Sequence, residues 1–240
     1  MTANGLSLRP ARHPFVLVIV GLCGIAVVAG FGFTVTHWVQ WTTWETGALS
    51  AIADSRVPAG IVLAAFIAWL FAPAVATVLT LFLAIVIGML SRSMTRAIVF
   101  AVVVAVCWSG SEMMKLLVQR PRPAVSVPVV GASTSFSFPS GHTAFACAIV
   151  IALLLTVRDW RFRWTAGLLG GALVLLVAWS RMYLGVHFPT DVAASVLLTA
   201  SVAAVVIPLI LNVALPVLGV TPRTAAERPS AEDAIHGGGE

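Results

Sequence analysis

Charge is the scarcest commodity in this chain. Asp, Glu, Lys and Arg make up 10% of its 240 residues, against 60% hydrophobic residues, and the mean hydropathy is +1.02. A soluble domain carries roughly 25% charged residues, so a water-solvated globular surface is excluded and the chain reads as an integral membrane protein. Cysteine is sparse too. Cys23, Cys107 and Cys147 lie inside apolar runs without metal-like spacing, which speaks against a disulfide scaffold and leaves them as small buried hydrophobes. The 9 acidic residues and 5 histidines nowhere gather into the ligand set of a catalytic metal site. No metal and no cofactor is therefore expected. The formal charge of +5 comes from basic residues scattered through short segments, a pattern that fits membrane topology and not nucleic acid binding. There is no internal repeat.

The apolar runs divide the chain. A crossing needs about 20 residues, and the run from Pro14 to about Val35 exceeds the roughly 7–15 of a signal-peptide core. It reads as a retained first span behind a cytoplasmic segment, residues 1–13, that carries Arg9 and Arg12. The region from Val57 to Leu90 is interrupted by Pro73. If Val57 to Phe71 forms a short interfacial helix and only Pro73 to Leu90 crosses, Arg92 and Arg96 join Arg9 and Arg12 on the cytoplasmic side, as the positive-inside trend requires. Trp38, Trp41 and Trp44 then fall in an outer loop as an interfacial aromatic belt.

Further spans are expected over Ala97 to Val118, Ser140 to Val157, Trp164 to Trp179 and Pro189 to about Leu211. Pro121 and Pro123 end the third. Arg158, Arg161 and Arg163 mark the cytoplasmic turn after the fourth, and the polar tail over 221–240 is expected to be disordered. The fold class is an all-α polytopic bundle of six transmembrane helices over residues 14–220. Nine of the 14 Lys and Arg residues lie inside in this arrangement, and four of the five outside belong to three polar clusters. Those exceptions are the candidate site.

The clusters are Lys115 to Pro123, Phe138 to His142, and Ser180 to Asp191, each at the end of an apolar run. Ionisable residues at such junctions are costly unless they work. Arg122 and Arg181 offer planar forks suited to phosphate oxygens and Lys115 adds a compact charge; taken singly, each could equally grip a lipid headgroup or snorkel to the interface. Arg120 has no distinctive partner in the pattern and keeps that plainer reading. Ser140 can cap the fourth helix and Gly141 lets backbone approach a ligand, with the helix dipole favouring an anion there. Capping does not explain His142. Asp191, one turn from His187, can accept its ring N–H and leave the other nitrogen free to attack, or it can pair with an arginine.

In order and spacing, Lys115 with Arg122-Pro123, Pro139-Ser140-Gly141-His142, and Ser180-Arg181 with His187 and Asp191 resemble the tripartite signature of the type 2 phosphatidic acid phosphatase superfamily, over roughly Pro73 to Leu211. The resemblance implies a metal-independent hydrolase of lipid phosphates or pyrophosphates at the outer leaflet of the cell membrane, working through a phosphohistidine. Lys115, Arg122, Ser140, Gly141 and Arg181 would hold the phosphate, His187 would attack, Asp191 would orient it, and His142 would protonate the leaving oxygen. The implied partners are a lipid phosphate and the bilayer. Polyprenyl pyrophosphate, phosphatidylglycerophosphate and phosphatidic acid remain equal candidates. Two other readings are a lipid transporter that uses only the cations, and transfer of the phosphoryl group to an acceptor other than water. Glu112, one turn before Lys115, is not part of the signature and could pair with that lysine.

Overall fold

The structure, a computed structural model, describes residues 11, 13–125, 135–156 and 160–220. Arg9, Arg12, Arg158 and the tail lie outside the described residues. Within them the chain is all helical, with α1 (Pro14–His37), α2 (Val39–Asp54), α3 (Pro58–Leu70), α4 (Pro73–Ser91), α5 (Met94–Val118), α6 (Gly141–Thr156), α7 (Trp160–Tyr183) and α8 (Pro189–Leu209). The α8 helix continues through a π-helical turn, Ile210–Ala214, into a last short turn, Leu215–Val217. Prolines 14, 58, 73 and 189 each stand in the first turn of their helix, where the missing N–H costs nothing.

Among the described residues five helices are long and apolar enough to cross a bilayer: α1, α4, α5, α7 and α8 with its extension. The chain is a multi-pass membrane protein. The fourth expected span, α6, has 16 residues, about 24 Å at 1.5 Å per residue, and is the most enclosed helix. Gly141 and every residue from Thr143 to Ile149 are buried, because α5, α7 and α8 all pack on it. On its outside α1 lies along α8. A Cβ at Gly21 would come within 2.6 Å of the Ser201 carbonyl oxygen, so close approach of these two helices requires glycine there.

The segment between the first two spans differs from the expected loop. Trp38 is the N-cap of α2, and Trp41 and Trp44 lie within that helix. Their rings form a ladder with 5.7 Å between successive centroids. The α2 and α3 helices meet at a bend of 120°, so the one expected interfacial helix is the second arm of a bent pair. The α7 helix also runs further than expected, through Tyr183, since nothing from Ser180 to Tyr183 breaks a helix before Gly185, whose φ is +71°. Arg181 consequently sits in a helical turn, not in a loop.

Candidate active site

All three clusters meet at one end of the bundle. The α5 helix stops at Val118, where Gln119 turns left-handed with φ 54° and its amide closes on the Lys115 carbonyl; Pro121 then keeps Arg120 out of the helical region. The returning strand of chain before α6 is pinned to this turn. Ser137 donates its amide to the Arg120 carbonyl at 2.8 Å and its hydroxyl to the Pro121 carbonyl at 2.9 Å. Arg122 in turn donates through Nε to the Ser135 carbonyl at 2.9 Å and through Nη2 to the Ser135 hydroxyl at 2.8 Å. Ser140 caps α6, with the Thr143 amide 3.5 Å from its Oγ.

These elements enclose a cavity of about 700 Å³. Its lining includes the polar residues Lys115, Arg122, His142, Arg181 and His187 with Gly141, and the apolar residues Ala68, Trp69, Phe71 and Trp108. Ser140 and Asp191 are fully buried behind this lining. The sequence-predicted residues therefore converge, six on the wall and two supporting it. Arg181 is itself buried, and its Nε finds no hydrogen-bond partner among the described residues. A buried guanidinium N–H without an acceptor is costly.

The hydrogen bonds assign the tautomer of His187. Nδ1 lies 2.7 Å from the Ser137 carbonyl oxygen, which can only accept, and Nε2 lies 3.2 Å from Arg122 Nη1, which can only donate. Nδ1 therefore carries the proton and Nε2 presents its lone pair beside a guanidinium. Burial, reinforced by the charges of Arg122, Arg181 and Lys115, pushes the His187 imidazole well below its ordinary value, so it stays neutral and nucleophilic at neutral pH. Burial also pulls the Arg122 guanidinium down, against the opposing charges of Asp191 and Glu112.

The expected hydrogen bond from His187 to Asp191 is not made. Asp191 Oδ2 lies 3.6 Å from Nδ1 and accepts the Phe188 amide at 2.8 Å, closing the first turn of α8, while its Oδ1 takes Arg120 Nη1 at 2.8 Å. Both sequence alternatives for Asp191 are thus partly realised: an arginine binds it, and it faces the histidine as a counter-charge.

Arg120 is the residue whose plainer reading the structure overturns. Its side chain is 1% exposed and bridges two carboxylates that are 0% exposed, Glu45 of α2 at 2.7 Å and Asp191 of α8 at 2.8 Å. The guanidinium also lies 4.0 Å over the Phe188 ring. Glu45, which the sequence did not single out, further accepts the Thr190 amide at 2.8 Å. Glu112 does pair with Lys115, at 2.9 and 3.0 Å.

His142 opens α6 with its Nε2 3.1 Å from the Ala68 carbonyl. That carbonyl is free because the α3 helix tightens at its end: the Ala72 amide bonds to Trp69. Since a carbonyl can only accept, the His142 proton rests on Nε2.

Residues 93–214 match the PAP2 superfamily. Phosphatidylglycerophosphatase B of Bacillus subtilis is 38% identical over 87 residues, 34% of this chain and 42% of that protein. An undecaprenyl-diphosphatase of Sulfolobus acidocaldarius is 42% identical over 65 residues, 27% and 29% of the two chains. A decaprenylphosphoryl-5-phosphoribose phosphatase of Mycobacterium tuberculosis is 41% identical over 97 residues, 39% and 50%. The chain thus spans half or less of the length of these curated relatives. Among solved structures, the transmembrane PAP2-type phosphatidylglycerolphosphate phosphatase from Bacillus subtilis superposes with a TM-score of 0.64 at 22% identity, covering 80% of this chain and 92% of that one, a likeness of fold. The matched segment is half of the chain and contains all eight signature residues, so the chain belongs to the PAP2 superfamily.

Proposed function

We propose that this protein hydrolyses a lipid phosphate or pyrophosphate without a metal, through a phosphohistidine on His187, at the non-cytoplasmic leaflet. The observation that carries this reading is the Nε2 lone pair of His187, held by the Ser137 carbonyl contact at Nδ1 and turned toward Arg122 in a cavity that Lys115 and Arg181 also line. These cations hold the phosphate oxygens, with the first amides of α6 at Gly141 completing the cradle. Nε2 forms a bond to phosphorus as the bond to the lipid oxygen breaks, and His142, recharged to the imidazolium by the approaching phosphate, gives that oxygen a proton and returns to its neutral form. Water then attacks phosphorus, His142 recovers a proton from it, and the P–N bond breaks to release inorganic phosphate. The imidazolium present between the two steps has the Asp191 carboxylate 3.6 Å from its Nδ1. Ala68, Trp69, Phe71 and Trp108 supply an apolar surface for the lipid chain. Purified protein given a panel of lipid phosphates should release free phosphate; a phosphorylated acceptor appearing in its place would mean transfer, and binding with no turnover would mean a carrier.

Chelators should leave activity intact and orthovanadate should inhibit. Among the described residues no group of three or more His, Cys, Asp or Glu is placed to hold a metal ion, whereas the cationic cavity suits an oxyanion that can become five-coordinate. Loss of activity in EDTA with recovery on adding magnesium or zinc would sink the mechanism.

Topology provides a separate check. Arg92 and Arg96 stand at the α4–α5 turn and Arg161 in the first turn of α7, at the bundle end opposite the cavity, and the positive-inside trend assigns that end to the cytoplasm. In a cysteine-free background, a cysteine at position 92 or 161 should resist an impermeant thiol reagent added outside intact cells and react once they are opened. Labelling from outside at either position would overturn the proposed leaflet.

A further inference from the structure

Glu112 lies inside the site although the family signature does not include it. Its carboxylate is bonded to Lys115 Nζ through both oxygens, at 2.9 and 3.0 Å, and also abuts the start of α6: a Cβ placed on Gly141 would stand 2.7 Å from Oε1. The first amides of a helix have no intrahelical acceptor and attract an anion. Glu112 is therefore an anion resting between the same two groups, Lys115 and the α6 N-terminus, that the phosphate cradle uses. Its side chain is 48% exposed and lines the cavity, so it is free to move aside.

The charges facing the cavity are Lys115, Arg122 and Arg181 against Glu112, three positive and one negative before an entering phosphate recharges His142. That net charge of two matches a phosphomonoester dianion and falls short of a diphosphate ester. Behind the wall, Glu45 and Asp191 exceed Arg120 by one negative charge, which acts in the same direction. We propose that Glu112 is a specificity-determining residue: it competes with the substrate phosphate for Lys115 and the α6 N-terminus, and so favours lipid monophosphates over lipid diphosphates. This inference rests on the phosphatase reading above.

Farnesyl phosphate and farnesyl diphosphate share one chain and differ only in the headgroup, so they isolate the effect. In Glu112→Gln the ratio of kcat/KM for the diphosphate to that for the monophosphate should rise about tenfold over wild type, the order expected for removing one unit charge several ångström away in a partly open site. Inhibition by orthovanadate should tighten. Glu112→Ala should move both quantities in the same direction, and a gain in anion binding is not what a damaged fold produces. An unchanged or lower ratio, or vanadate binding weakened as in Lys115→Ala, would show that Glu112 only orients Lys115 and would overturn the proposal. The phosphatase reading is judged separately by the wild type: no turnover of either compound and no vanadate binding would remove that reading and this inference with it.

Discussion

His187→Ala should lose at least about 10⁴-fold in kcat on every substrate, as enzymes do when the nucleophile itself is removed, whereas the loss in His142→Ala should depend on the leaving group. On an alkyl phosphate, whose departing oxygen needs a proton, His142→Ala should fall by about 10²–10⁴-fold, the usual worth of a positioned acid. An aryl phosphate leaves readily unprotonated, so the same variant should fall less than about tenfold on it. The two imidazoles are separated by their hydrogen bonds. His187 is protonated on Nδ1 against the Ser137 carbonyl and bare at Nε2, while His142 holds its proton on Nε2 against Ala68. Steady-state rates of both variants on matched alkyl and aryl phosphates test the split. Equal losses on the two substrates in His142→Ala would remove its role as the acid.

Arg120→Ala should be the most damaging substitution for stability outside the hydrophobic core. It leaves Glu45 and Asp191, both fully buried and both bonded to Arg120, without their cation. Breaking a buried ion pair from one side costs about 3–5 kcal/mol, a large part of the stability of a typical domain. Thermal unfolding in detergent should shift down strongly, and the variant should accumulate poorly. Adding Glu45→Gln and Asp191→Asn to Arg120→Ala removes the stranded charges and should recover most of the lost Tm, because neutral replacements of a whole buried ionic cluster are tolerated. Turnover should stay low in the triple variant, since the counter-charge for the His187 imidazolium is gone. A wild-type Tm for Arg120→Ala would show that the cluster contributes nothing to folding.

What the sequence could reveal here divides by the range of the interaction. Spans were legible because lipid demands long unbroken apolar runs and cations gather on one side, and proline marks where several helices begin. The α2 helix was not, because Val39 to Asp54 mixes Trp, Thr and Glu, and a polar, aromatic stretch between spans reads as an interfacial loop. Its reason for being ordered lies elsewhere in the chain: Glu45 meets Arg120 and Thr190, contacts 75 and 145 residues away that no local pattern encodes. Arg120 looked like a bystander for the same reason. The convergence of the three motifs was legible because their charges had to come together to be tolerable. Their pairings were less so. Asp191 is one helical turn from His187, but it is used by Arg120 and by the Phe188 amide, and a backbone carbonyl at Ser137 takes the ring proton. A main-chain acceptor has no sequence signature, and the same holds for the Ala68 carbonyl that receives His142.

Trapping the covalent intermediate decides most directly whether His187 is the nucleophile. Wild type, His142→Ala and His187→Ala would be mixed with radiolabelled aryl phosphate, quenched within milliseconds and digested, and the label located by peptide mapping. An acid-labile, alkali-stable phosphohistidine at position 187 in wild type and in His142→Ala, with none in His187→Ala, is the expected result. Label retained in His187→Ala and lost in His142→Ala would reverse the two roles, and stoichiometric turnover by wild type with no labelled histidine would replace the covalent route with direct attack by water.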